Sequence, residues 1–173
     1  MALTLIIGGA RSGKSGHAQA LAEAEASVSG VPPVMIATAE ALDDEMAERI
    51  ACHRAERGEA WLTVEAPLDP AAALREVPPE HGVVLDCLTL WLSNLMFAEA
   101  DLDLATDALL EAAAMRRAPV VMVANEVGMG IVPENALARR FRDAAGRLNR
   151  RVADQADRVI VMFAGQALTL KGG

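Results

Sequence analysis

Cysteine is scarce in this chain: Cys52 and Cys87 are the only two in 173 residues. Neither stands in a C-x-x-C or mixed Cys/His spacing, so no disulfide framework or zinc site is expected, and a reducing cytoplasm is the natural compartment. An excess of positive charge is also missing. The formal net charge of -8 argues against broad attraction to nucleic acid or anionic lipid, so any anionic ligand must be held by local design. No apolar run approaches the roughly 20 residues of a membrane helix, and the N-terminus lacks a basic segment followed by a long apolar one. No repeat, linker or low-complexity tract interrupts the chain, and residues 1–173 read as one domain. What is present is apolar: 53% hydrophobic against 23% charged residues excludes a disordered chain. A chain of this length buries roughly two-thirds of its unfolded surface.

The most informative stretch runs from Leu3 to Ser15, LTLIIGGARSGKS. A short apolar strand leads into G-x-x-x-x-G-K-[ST], carried by Gly8, Gly13, Lys14 and Ser15, and a helical pattern follows. This is the context of a phosphate-binding loop. Glycines allow torsions that turn successive amide groups inward onto phosphate oxygens. Lys14 is placed to reach the β- and γ-phosphates and Ser15 to ligate Mg²⁺, while the helix N-terminus adds its dipole to the anion site. Gly9, Ala10, Arg11 and Ser12 complete the loop. Arg11 either touches phosphate or pairs with an acid.

Further along, apolar runs and breakers alternate. A helix is expected from Lys14 to about Ala26, then a strand at Val34–Ala37 after Gly30 and two prolines. A second helix is expected from Asp43 to about Glu56, with Met46 and Ile50 inward and Arg49, His53 and Arg57 stacked on another face. Trp61–Glu65 alternates as a strand, and a short alanine-rich helix ends near Arg75. Val83–Asp86 is an apolar strand ending in a carboxylate, which downstream of a phosphate loop marks a second magnesium element. Helices at 87–97 and 104–114, a strand at 120–124 and a long loop at 125–135 come next. The final helix, to about Ala156, has Leu137, Phe141, Ala144, Leu148 and Val152 as its apolar stripe. Its arginines read as a salt-bridged, solvated face or a subunit contact. Strands at 159–163 and 166–170, joined by Ala164-Gly165, require antiparallel pairing. The expected fold is therefore α/β: a P-loop NTPase of RecA-like type, with a mostly parallel sheet, flanking helices and a C-terminal antiparallel hairpin.

A phosphate loop with Asp86 suits many nucleotide hydrolases and kinases. Three further stretches narrow the choice. One is Leu42-Asp43-Asp44-Glu45-Met46 through Arg49-Ile50 to His53-Arg54 and Arg57, with Trp61, Thr63 and Glu65. The second is Asp86-Cys87-Leu88-Thr89-Leu90-Trp91 with Asn94-Leu95, and the third is Asn125-Glu126-Val127-Gly128-Met129-Gly130-Ile131-Val132-Pro133. With Gly8–Ser15 they closely resemble the bifunctional adenosylcobinamide kinase / adenosylcobinamide-phosphate guanylyltransferase family of cobalamin biosynthesis, over nearly the whole chain.

That resemblance implies two reactions. A nucleoside triphosphate, ATP or GTP, phosphorylates the aminopropanol hydroxyl of adenosylcobinamide; GTP then passes GMP to the enzyme, and the phosphoester accepts it to give adenosylcobinamide-GDP. The resemblance assigns the GMP carrier to His53. A neutral imidazole can attack the α-phosphorus, with Arg54 and Arg57 balancing phosphate charge. It places Ala37, Thr38, Ala39, the segment Arg54-Ala55-Glu56-Arg57, Glu65 and Asp86 around the guanine nucleotide, with Mg²⁺ on Ser15 and Asp86. It also implies a homotrimer. Glu65 reads equally as an exposed strand residue, and Asn125 and Glu126 serve either the corrinoid or metal environment or loop bracing. His17 and His81 read as surface or structural residues. Two departures from the family pattern are modest: Gly16 follows the loop where a larger residue is common, and Asp86 stands where some members have Glu. The competing readings are a small-molecule kinase without guanylyl transfer and a nucleotide-gated, DNA-binding module.

Overall fold

A computed structural model describes residues 2–40, 48 and 60–172. The expected helix from Asp43 to about Glu56, with Met46, Arg49, Ile50 and Cys52, falls almost wholly outside them.

Strand β1 (Leu3–Gly8) lies inside a seven-stranded sheet, with Leu3, Leu5 and Ile6 at most 2% exposed. A strand covered on both faces must be apolar throughout, and LTLIIG is nearly so. It is followed by α1 (Lys14–Ser29), β2 (Val34–Ala37), β3 (Leu62–Glu65), α2 (Pro70–Glu76), β4 (Val83–Asp86), α3 (Leu88–Phe97), α4 (Leu102–Ala114), β5 (Val120–Asn125), α5 (Ala136–Gln155), β6 (Arg158–Phe163) and β7 (Gln166–Lys171). The strand order is β3-β2-β4-β5-β1-β6-β7. All neighbours are parallel except β6 and β7, which form the expected antiparallel hairpin.

Alternation along the strands divides the core. Ile6, Met35, Val84, Val121, Val123, Ile160 and Met162 pack with Ala18 and Ala22 of α1 on one face. Leu3, Leu5, Ile36, Leu85, Val120 and Met122 pack on the other with Leu74, Leu88, Trp91, Leu109 and Leu148 from α2 to α5.

Several boundaries differ from the sequence reading, each for a capping reason. Helix α1 runs past Ala26 to Ser29, where Gly30, at φ 73°, closes it by donating its amide hydrogen to the Ala26 carbonyl. Helix α4 begins at Leu102 rather than Leu104, because the Asp101 carboxylate accepts from the amides of Asp103 and Leu104. In α5, Ala144, Leu148 and Val152 are buried as expected, whereas Leu137 is half exposed. That first turn is tied back to the preceding loop by Arg139, which donates to the carbonyls of Pro133 and Glu134. The arginine face is salt-bridged: Arg151 meets Asp103 and Asp107, Arg142 meets Asp143, and Arg150 meets Asp154.

Candidate active site

The carboxyl ends of the parallel strands bring most of the described candidate residues to one edge of the sheet. Open α/β sheets bind ligands at this edge. In the register of neighbouring strands, Glu65, Ala37 and Asp86 stand in one row, and Asp86 is level with Val123 of β5. Gly8 is level with Asn125 on one side and Met162 on the other, two residues further along.

The phosphate loop has the backbone its glycines permit. Gly13 caps α1 at φ 92°, and Arg11 also takes a left-handed conformation at φ 54°. Gly8 is required by close approach: a Cβ there would come within 2.4 Å of the Met162 carbonyl oxygen and 2.8 Å of Ser12 Oγ. The Lys14 ammonium sits within the loop, donating to the Gly9 carbonyl at 2.5 Å, with Ser12 Oγ at 3.4 Å. Only 7% of Lys14 and 8% of Ser12 remain exposed, so the charge is held within the loop. The Gly165 amide donates to the Ser12 carbonyl, tying the loop to the C-terminal hairpin. Ser15, half-buried, lies in the first turn of α1.

Strand β5 separates β1 from β4, so Asp86 lies two strand spacings, about 9.6 Å, from the phosphate-loop strand. A hydroxyl from Ser15 and a carboxylate from Asp86 are hard oxygen donors on separate elements. That suits Mg²⁺, which takes one or two protein oxygens and fills its octahedron with phosphate and water.

Behind this edge runs a hydrogen-bonded brace. Thr38, fully buried, accepts at Oγ1 from the Cys87 amide at 2.9 Å and donates to the Cys87 carbonyl at 2.8 Å. The Asp86–Cys87 peptide between β4 and that brace is cis. Asn94 donates through Nδ2 to the carbonyls of Thr38 and Pro67. Thr89 Oγ1 accepts from the Asn125 amide at 2.7 Å, Asn149 donates to the Asn125 carbonyl, and the Glu126 amide reaches the Gly8 carbonyl. The ends of β1, β2, β4 and β5 are thereby held together. Burial, and secondarily the Asp86 charge, push the Cys87 thiol up to about 11. Cys87 is thus a neutral packing group.

The structure therefore unites Gly8–Ser15, Ala37–Ala39, Glu65 and Asp86 at one edge. Thr38 is seen there to spend its hydroxyl on Cys87. Asn149 was not singled out in the sequence, although an asparagine between Leu148 and Val152 on a buried stripe is a signal for such a brace. His81 is structural, with Nδ1 2.7 Å from the Pro32 carbonyl, and His17 is half-buried in α1. His53, Arg54, Ala55, Glu56 and Arg57 lie outside the described residues.

The model of the cobinamide kinase / cobinamide phosphate guanyltransferase family matches residues 4–170. The chain belongs to this family. It is 46% identical to the bifunctional adenosylcobalamin biosynthesis protein CobP of Pseudomonas aeruginosa, covering 97% of this chain and 96% of that protein. It is 41% identical to the CobU protein of Salmonella typhimurium, covering 98% and 99% respectively. Among solved structures, flagellar accessory protein FlaH from Methanocaldococcus jannaschii superposes with a TM-score of 0.54 at 15% identity, covering 98% of this chain and 78% of that one. The last likeness concerns the fold alone, a mostly parallel sheet flanked by helices.

Proposed function

We propose that this chain, as a single cytoplasmic domain, phosphorylates adenosylcobinamide and then guanylylates the product. The carrying observation is the family match over residues 4–170, on a chain whose phosphate loop encloses Lys14. Among the described residues no helix is long and apolar enough to cross a membrane. In the first step the aminopropanol oxygen attacks the γ-phosphorus of ATP or GTP. A new P–O bond forms as the bond to the β-phosphate breaks, and the hydroxyl proton is released. The loop amides and Lys14 hold the triphosphate and offset charge on the departing diphosphate. Ser15 and Asp86 would hold Mg²⁺, which supplies further neutralisation of phosphate charge.

In the second step His53 attacks the α-phosphorus of GTP, forming an N–P bond as pyrophosphate leaves. An oxygen of adenosylcobinamide phosphate then attacks that phosphorus, the N–P bond breaks, and adenosylcobinamide-GDP is released with the imidazole restored. Arg54 and Arg57 balance the charge developing on the phosphates, and Ala37–Ala39, the segment Arg54–Arg57 and Glu65 hold the guanine nucleotide. The working enzyme is a homotrimer, which light scattering tests. Incubation with GTP labelled in its α-phosphate tests the second step. An acid-labile, base-stable label on the wild type that is absent from His53→Ala is expected, and an unlabelled wild type under turnover conditions contradicts it.

A further inference from the structure

The loop between β5 and α5, residues 126–135, leaves the sheet next to Gly8 and exposes a run of apolar side chains. Met129 is 91% and Ile131 98% exposed, and Val127 and Val132 are exposed as well. Isolated exposed apolar residues need no explanation. Four within six consecutive positions, at the ligand-binding edge of the sheet, mark a contact surface.

Both roots of the loop are fixed. At one end Thr89 and Asn149 hold Asn125, and the Glu126 amide donates to the Gly8 carbonyl at 2.9 Å. At the other end Asn135 caps α5 and Arg139 binds the carbonyls of Pro133 and Glu134. The apolar residues are thus carried on a span with anchored ends, and Gly130 has open space around it.

We propose that this loop is the platform on which the corrinoid rests while its hydroxyl reaches the phosphate loop. The inference rests on the proposed kinase reaction and names the surface that holds its acceptor. A reacting hydroxyl must approach the γ-phosphorus to about 3–3.5 Å, and Gly8–Ser15 set where that phosphorus lies. The bulk of the acceptor, a macrocycle with a methyl-rich rim and neutral amide arms, must then lie beside those residues. Ile131 is five residues from Glu126, so at most roughly 18 Å of chain separates it from the bond to Gly8.

Charge and size select this occupant. From Val127 to Pro133 the loop has no charged residue, so it offers nothing to a triphosphate and suits an uncharged apolar rim. In the proposed trimer a stable subunit contact takes about 20–30 residues a side and so rests mainly on other surface, and particle mass in the test below separates the two occupants.

Equilibrium dialysis against adenosylcobinamide, read by the corrinoid's own absorbance, tests the assignment on the full chain. The Met129→Ser/Ile131→Ser double variant is expected to raise the corrinoid Kd at least tenfold, about 1.4 kcal/mol. GTP affinity should stay within twofold, with particle mass in light scattering unchanged. Ile131→Ser alone should move in the same direction, and Ile131→Leu should bind as the wild type does. A corrinoid Kd within twofold of wild type in the double variant overturns the platform, as does a fall in particle mass, which would make the loop a subunit contact. A wild type that binds no corrinoid overturns the kinase reading itself. A wild type that binds corrinoid but takes no GMP label loses only the transfer step and leaves the platform standing.

Discussion

Two residues at the edge of the sheet, Gly8 and Thr38, act through the backbone. Gly8 has no room for a methyl group, since the nearest obstacle is the Met162 main-chain oxygen rather than a side chain that can rotate. Gly8→Ala is therefore expected to lower stability by about 1–3 kcal/mol and to abolish measurable GTP binding in calorimetry. Gly9→Ala, which meets nothing within 4 Å, should bind nucleotide far better. Thr38→Val keeps the shape but removes the hydroxyl that satisfies both backbone groups of Cys87. Chemical denaturation should show a loss of about 1–3 kcal/mol, largely recovered by Thr38→Ser. The Cys87 thiol titrates near 9.0 when unperturbed and at about 11 in the fold. Between those values the unfolded chain has lost a proton that the folded chain retains, so stability falls as pH rises. Denaturation midpoints should decline from about pH 9 to 11, and less so in Cys87→Ala.

At the scale of elements, the connections carry much of the architecture. Arg116, 6% exposed after α4, donates to the carbonyls of Leu74, Val77, Pro78 and His81, and so ties α2 and the loop entering β4 to the end of α4. Its planar fork fits this cluster as a lysine cannot. Arg116→Met is expected to cost about 3 kcal/mol in denaturant titrations, with Arg116→Lys recovering only part. Alternation and helical spacing made the described strands and helices legible within a few residues, because burial imposes period 2 or 3.6. The boundaries were less legible. The helix expected from 104 starts two residues earlier because the Asp101 carboxylate caps α4, and Gly30 read as a break rather than as a cap holding three further residues in α1. Leu137 fitted the apolar stripe by spacing, but its turn is bound to the preceding loop.

For the molecule as a whole, the glycine-rich loop announced a phosphate site because that chemistry needs particular residues at fixed spacing. Asp86 at the end of an apolar run likewise pointed to the edge of the sheet. The strand order was not legible: pairings join residues as far apart as Ile6 and Ile160, and nothing local encodes them. The brace of Thr38, Thr89, Asn94 and Asn149 escaped for the same reason, since each bonds to a residue 24 to 56 positions away. The proposed pair of transfers at one edge of one sheet requires that the steps separate when the carrier is removed. The most direct measurement is the product formed from adenosylcobinamide and GTP, resolved by mass spectrometry for wild type and His53→Ala. Wild type should yield adenosylcobinamide-GDP, and His53→Ala should stop at adenosylcobinamide phosphate. Adenosylcobinamide-GDP from His53→Ala at the wild-type rate would contradict transfer through His53.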